Sequence, residues 1–202
     1  KMVKKFISFS FILSFIIFEN NANANNIKVA SINLCTDQYL YLIAKKSQIT
    51  SLSYMSKDKK ISYISDKISG VKFNNGRTEE IIKQNPDIIF AGPGSSIATV
   101  SLLKKLNYNV VFISDAKNFK QIKEQVLFIA KLIGREKKGY SILSKIDNDL
   151  NKYIYNNKKI KNKKIIILSP NGYTKGKDSL LGNILNKLGY QNVINKLNIN
   201  SY

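Results

Sequence analysis

From Asn118 to about Asn157 the chain carries no strand signal. Apolar residues recur there only at helical spacing: Ile122, Val126, Ile129 and Ile133, then Tyr140, Leu143, Ile146, Leu150 and Ile154, with Gly134 the one weak point. Roughly forty residues of straight helix would reach up to about 60 Å, far more than a crossover between neighbouring strands needs. The segment is therefore expected to bridge two lobes, and it constrains what can stand on either side.

Ahead of the bridge, strand and helix signals alternate. "IKVASI" from Ile27 reads as a strand, with Thr36 or Asp37 as the N-cap of a helix carrying Leu40, Ile43 and Ala44. "ITSLSY" (Ile49 to Tyr54) is a second strand, and a polar loop follows from Met55 to Gly70. In "GRTEEIIKQNPDIIFAGPG", Thr78 is expected to cap a short helix with Glu79 and Glu80 in its first turn. Pro86 ends that helix, and "DIIFA" reads as a buried strand. Ile97 to Leu106 is again helical and Asn109 to Ser114 a strand. This alternation argues a parallel α/β sheet. Beyond the bridge stand one strand (Lys164 to Leu168), a Gly-rich loop and one helix to Leu188. A lone strand and helix cannot bury a core, so the sequence reads as stopping inside its second lobe.

The N-terminus reads as an address. Lys1, Lys4 and Lys5 precede an apolar stretch of 13 residues, Phe6 to Phe18, and Ala22-Asn23-Ala24 supplies a small-x-small cleavage site. This is the pattern of a secretory signal peptide, residues 1–24, and the stretch is short for a membrane span of about 20 residues. Leu34 immediately before Cys35 does not suit lipoprotein processing, so a soluble exported protein is expected, periplasmic where the cell has a periplasm.

Removing residues 1–24 leaves 30 basic and 12 acidic residues, a net charge of +18. Such a balance invites a nucleic-acid reading. However, only Arg77 and Arg135 are arginines, and no Arg-aromatic stripe interrupts the scattered lysines. No nucleic-acid partner is expected. The densest run, "NNKKIKNKK" (Asn156 to Lys164), reads as a solvated connector. A single cysteine excludes an internal disulfide framework. The lack of histidine removes the commonest zinc ligand and general base. Neither a metal, a cofactor nor catalysis is expected.

Four stretches in order resemble the substrate-binding proteins of iron-chelate and vitamin B12 ABC importers. "VASINLCTDQYLYLIA" is similar to that family's first strand and helix, and "NNGRTEEIIKQNPDIIFAG" to its most recognisable segment. "LKKLNYNVVFISDAKNFKQI" resembles the entry into the bridge, and "NGYTKGKDSLLGNILNKLGYQNVI" the start of the second lobe. The resemblance runs from Ile27 to about Ile194. It implies two Rossmann-like α/β lobes with parallel sheets joined by a long bridging helix: residues 25–117, 118–160 and 161–202, the last an incomplete lobe. It also implies a monomer that takes a siderophore, haem or cobalamin between its lobes and hands it to a membrane permease and its ATPase. One glutamate on each lobe would dock against permease arginines; Glu79 matches the first-lobe position, and Glu80 is the weaker candidate.

Ligands of parallel sheets sit outside the carboxyl ends of strands. That rule nominates Asn33, Cys35 and Thr36, then Tyr54, Asn75 and Arg77, then Gly92 and Ser95, and in the second lobe Tyr173 and Lys175. Tyr54, Tyr63 and Tyr173 offer aromatic walls; Arg77 and Lys175 offer charge for anionic groups. Cys35 falls in the set by position, while its own chemistry suggests a small buried apolar residue. Where family members often carry an aromatic after the "PDIIFA" strand, this chain has Gly92-Pro93-Gly94.

Two rivals stand beside this reading. A metal-ion carrier of the same architecture would ordinarily draw on histidine. A nucleotide-binding enzyme would rest on "GYTKGKD", but Gly172 and Gly176 bracket three residues rather than four. Asp178 also stands where a P-loop needs a hydroxyl for magnesium.

Overall fold

The structure, a computed structural model, describes residues 27–156 and 162–196. Residues 1–26, which include the expected signal peptide, residues 157–161 and residues 197–202 lie outside the described residues. Five short strands form the first lobe: β1 (Val29–Ser31), β2 (Ile49–Ser53), β3 (Phe73–Asn74), β4 (Ile88–Ala91) and β5 (Val110–Phe112). All pair in parallel, in the order β3-β2-β1-β4-β5. The chain builds outward from β1 in one direction, then crosses back to place β4 on its other side. That is the Rossmann-like order, with its switch point between β1 and β4.

Side chains alternate across the sheet with a period of two. Val29, Ile88 and Phe90 face one way, into a core shared with Leu40 and Ile43 of helix α1 (Leu34–Ile43) and Val126, Ile129 and Ala130 of α4 (Phe119–Leu132). Ala30, Ile89 and Ala91 face the other way, against Ile81 of α2 (Thr78–Ile82) and Leu103 of α3 (Ile97–Lys105). Helices cover both faces, as a parallel sheet requires. The strands that read as continuous apolar runs are the central ones buried on both sides.

The expected single bridging helix is two helices. α4 ends at Leu132, and α5 (Glu136–Asn156) begins four residues later. Gly134 takes a positive φ of +66°, which costs a glycine little. The Gly134 N–H then reaches Lys131 O (3.3 Å) and the Arg135 N–H reaches Ala130 O (2.7 Å). This pair of bonds is the Schellman closure, which satisfies the last carbonyls of a helix and stops it. α5 then runs back along α4: Gly139 lies against Ala130, and the Lys123 ammonium meets Asp147 at 2.6 Å. Gly139 has no side chain to hold the helices apart, and a Cβ there would sit 2.8 Å from that of Ala130.

Two expected caps are also corrected. Asn33, not Thr36 or Asp37, caps α1: its Oδ1 accepts the N–H groups of Cys35 (2.9 Å) and Thr36 (3.4 Å). Thr78 is the buried first residue of α2, and Arg77 occupies the cap position without a side-chain cap bond. In the second lobe the expected strand shrinks to β6 (Lys164–Ile165). It is not alone, for β7 (Gln191–Asn192) pairs with it in parallel after α6 (Leu180–Lys187). Asn183 Oδ1 on α6 accepts the Phe119 N–H of α4 at 3.1 Å, joining this unit to the bridge.

Candidate functional site

The loops nominated in the first lobe all leave the same edge of the sheet, because parallel strands end together. Their residues fall into two groups, framework and exposed.

The framework sits at the switch point between β1 and β4. Asn33 is buried and uses both ends of its amide: Oδ1 caps α1, and Nδ2 donates to Pro93 O at 2.7 Å. Ser95 Oγ donates to Ile32 O (3.2 Å) and accepts the Gly92 N–H (3.1 Å). Thr36 is fully buried, with its hydroxyl 3.0 Å from Asn33 O and 2.7 Å from Ser31 Oγ. These bonds lock the loop after β1 to the loop after β4. Gly92 permits the approach: a Cβ there would fall 2.9 Å from Asn33 Cγ and 3.0 Å from Ile113 O. Asn74 performs a similar task between β1 and β2, donating to Ser31 O, Ser51 Oγ and Leu52 O at 2.9–3.1 Å.

The exposed group stands above this framework. Tyr54 is 57% exposed at the end of β2. Cys35 is exposed in the first turn of α1, against the expectation of a buried apolar residue. The short helix seats Thr36 inward, which turns its predecessor to the surface. Burial of its lower part and the nearby Asp115 and Asp37 carboxylates push the thiol pKa up, so it is a weak nucleophile. Arg77 and Glu79 are exposed at the start of α2. Asn75, also exposed, is engaged locally: its N–H and Nδ2 reach the two Glu80 oxygens at 2.6 and 3.1 Å. Those bonds hold the Glu80 carboxyl below its ordinary range. Tyr63 is 69% exposed, with the Lys67 ammonium 3.3 Å from its ring centroid.

In the second lobe, Tyr173 is 61% exposed and Lys175 half-buried. Their loop is held by the Ser169 N–H to Tyr173 O (2.7 Å), Thr174 Oγ1 to Ile167 O (2.7 Å) and Asn192 Nδ2 to Lys175 O (2.7 Å). It is a self-tied loop on elements separate from the first-lobe strands. Among the described residues no group of three or more His, Cys, Asp or Glu is placed to hold a metal ion.

Sequence reasoning missed Asp37. It is fully buried on α1, and its carboxylate accepts the Ser53 N–H (2.9 Å), the Ser53 hydroxyl and the Ser56 hydroxyl (2.7 Å). Among the described residues no salt bridge neutralises it. Burial raises its pKa, and the hydroxyls of Ser31, Ser53 and Ser56 with the Ser53 N–H pull the other way without cancelling it. The native state therefore binds this proton more tightly than the unfolded chain, whose Asp titrates near about 3.9. The carboxyl's contribution to stability is greatest below that pH and declines as pH rises through the higher native value. Asp37→Asn removes this decline. Its urea midpoint should gain on wild type as pH rises from about 4 and then run parallel to it. A constant difference across that range would show that Asp37 does not titrate as its burial requires.

The chain matches the periplasmic binding protein family over residues 29–202. It belongs to that family. The ABC transporter substrate-binding lipoprotein YvrC of Bacillus subtilis, itself uncharacterised, is 26% identical over 176 residues, covering 73% of this chain and 56% of YvrC. This periplasmic binding protein thus spans little more than half the length of that relative. A possible iron-binding (periplasmic solute-binding) protein from Staphylococcus epidermidis superposes with a TM-score of 0.68 at 23% identity, covering 84% of this chain and 67% of that one. The periplasmic haem-binding protein of Roseiflexus sp. RS-1 gives 0.67 at 11% identity (87% and 69% covered). The vitamin B12 binding protein of Vibrio cholerae gives 0.60 at 14% (85% and 68% covered). At these identities the likeness establishes the fold.

Proposed function

We propose that this periplasmic binding protein is the capture component of an ABC importer, taking an iron chelate (siderophore or haem) or cobalamin between its lobes without catalysis. The observation that carries the reading is the family match over residues 29–202. Solved neighbours described as iron-, haem- and vitamin B12-binding proteins support the ligand class. Exposed Tyr54, Arg77 and Tyr173 and half-buried Lys175 are the proposed ligand contacts, with exposed Cys35 and Asn75 beside them. Asn33, Thr36, Gly92 and Ser95 shape the floor on which such contacts stand. Tyrosine fluorescence of the protein titrated with ferrichrome, haemin and cyanocobalamin tests this. Micromolar binding of one of them is expected, and binding of none overturns the ligand class.

Docking to a permease is assigned to Glu79. Glu80 is committed to Asn75, whereas Glu79 is exposed in the same turn with no side-chain bond among the described residues. An exposed carboxylate of this kind suits bidentate pairing with arginine.

Export without acylation at Cys35 is part of the reading, although YvrC is described as a lipoprotein. Cleavage before Cys35 would remove β1, the central strand of the sheet, together with the Asn33 cap. Cells fed radiolabelled palmitate should give no label on Cys35. Label present in wild type and lost in Cys35→Ser would reverse the assignment.

A further inference from the structure

Ser53 and Ser56 lie three residues apart, the repeat of the 3-10 helix Tyr54–Lys57 that Ser53 precedes and Ser56 belongs to. Both are buried, and both hydroxyls turn to the same oxygen of Asp37. The Ser53 N–H takes the other oxygen at 2.9 Å. Ser53 stands at the N-cap position of this turn, yet its hydroxyl makes no cap bond; it is spent on Asp37 instead. The turn itself closes through the Asp58 N–H to Met55 O at 3.1 Å. With Ser53 and Ser56 held inward, the intervening Tyr54 faces solvent. Asp37 in turn is fixed by α1, whose start is tied through Asn33 to the loop after β4.

We propose that Asp37 is the positioning residue of the ligand site, fixing the Tyr54–Lys57 turn and through it the wall that Tyr54 presents to ligand. The proposal rests on the carrier reading for its ligand half and on the three-donor geometry for its structural half. A buried carboxylate with three donors and no cation among the described residues is costly unless those donors stay in place. It therefore imposes one arrangement on the loop after β2, and it couples that loop to the β1 and β4 loops through α1. A loop anchored only by its backbone would leave Tyr54 free to reorient.

The test compares wild type with Asp37→Ala, Asp37→Asn and Ser56→Ala. Leu103→Ala, on the opposite face of the sheet, serves as a control destabilised without touching the loop. Amide hydrogen exchange of the full chain is the first readout. In Asp37→Ala the Ser53 and Asp58 amides should exchange at least about tenfold faster, a loss of local protection, while β1 and β4 keep theirs. Asp37→Asn should restore protection, because its Oδ1 still accepts the Ser53 N–H and the hydroxyls can reverse to meet its Nδ2. Ser56→Ala should loosen Asp58 alone. The second readout is affinity for ferrichrome, haemin and cyanocobalamin: about tenfold weaker in Asp37→Ala, near wild type in Asp37→Asn and in Leu103→Ala. Unchanged exchange at Ser53 and Asp58, or acceleration spread evenly through the sheet, overturns the proposal. So does an affinity that Leu103→Ala lowers as much as Asp37→Ala. If none of the three probes binds wild type, the ligand class of the carrier reading fails, and the exchange pattern still decides the role of Asp37 in the turn.

Discussion

Uptake by cells carrying Glu79→Ala should fall by about tenfold or more, while the purified variant binds ligand as tightly as wild type. Truncating one partner of a desolvated charge pair typically costs about 2–5 kcal/mol, and about 1.4 kcal/mol already corresponds to tenfold. The expectation of unchanged ligand affinity rests on position: Glu79 is exposed in the first turn of α2, and its carboxylate supports no other group among the described residues. Glu80→Ala is the informative contrast. It removes both acceptors of Asn75 and should disturb the turn beside Arg77, so ligand affinity and uptake should drop together. Two assays, transport of a ferric chelate into cells and fluorescence titration of the purified proteins, separate the cases. Lost ligand binding in Glu79→Ala would place that residue in the cleft, and unchanged uptake would remove it from the docking surface.

Gly182→Ala should loosen the Tyr173 loop from helix α6 while leaving the first lobe intact. A Cβ at Gly182 runs into the Gly176 carbonyl oxygen and comes within 2.8 Å of its carbon and 3.2 Å of Lys177 Cα. These are backbone atoms, so no side chain can swing aside. The same carbonyl accepts Ser179 Oγ at 2.7 Å, and Ser179 Oγ caps α6 by accepting the Gly182 N–H at 3.0 Å. Displacing it therefore combines overpacking, about 1–3 kcal/mol, with loss of a cap, about 1 kcal/mol. Hydrogen exchange should accelerate across α6 and β7, with β1 and β4 unchanged. An alanine variant with wild-type protection in α6 would show that the loop and helix can separate freely.

That glycine also explains why the loop resembles a phosphate cradle. "GYTKGKDSLLG" places Gly182 where α6 must approach the Gly176 backbone and Gly172 where φ is +73°. The first is a demand of packing a helix against the loop that follows a strand, the second of the left-handed turn in that loop, whatever the loop binds. The spacing alone argued against a nucleotide; the packing shows what the glycines do.

Much of the first lobe was legible because its strands repeat a simple physical pattern. "DIIFA" is apolar on both faces, and β4 is buried on both faces. The five-strand parallel lobe follows from such runs alternating with capped, periodic helices. β3 and β7, at two residues each, are too short to carry a periodicity. They exist because a neighbouring strand offers them a hydrogen-bonding edge. The break between α4 and α5 was marked by Gly134. Whether a glycine in a helical pattern is tolerated or terminates the helix depends on what the two halves pack against, and here they pack against each other.

The order of strands and helices, the strand-end loops that gather at one edge, and Glu79 at the start of its helix were set by the sequence, because local periodicity and punctuation act over a few residues. Which side chains at the start of α1 are buried was decided only by the tertiary structure. Cys35 and Asp37 stand two residues apart in one helix, and chemistry alone would bury the thiol and expose the carboxylate. The fold does the reverse: residues 16 and 19 positions further along, Ser53 and Ser56, arrive with three donors that a carboxylate accepts strongly and a thiol only weakly.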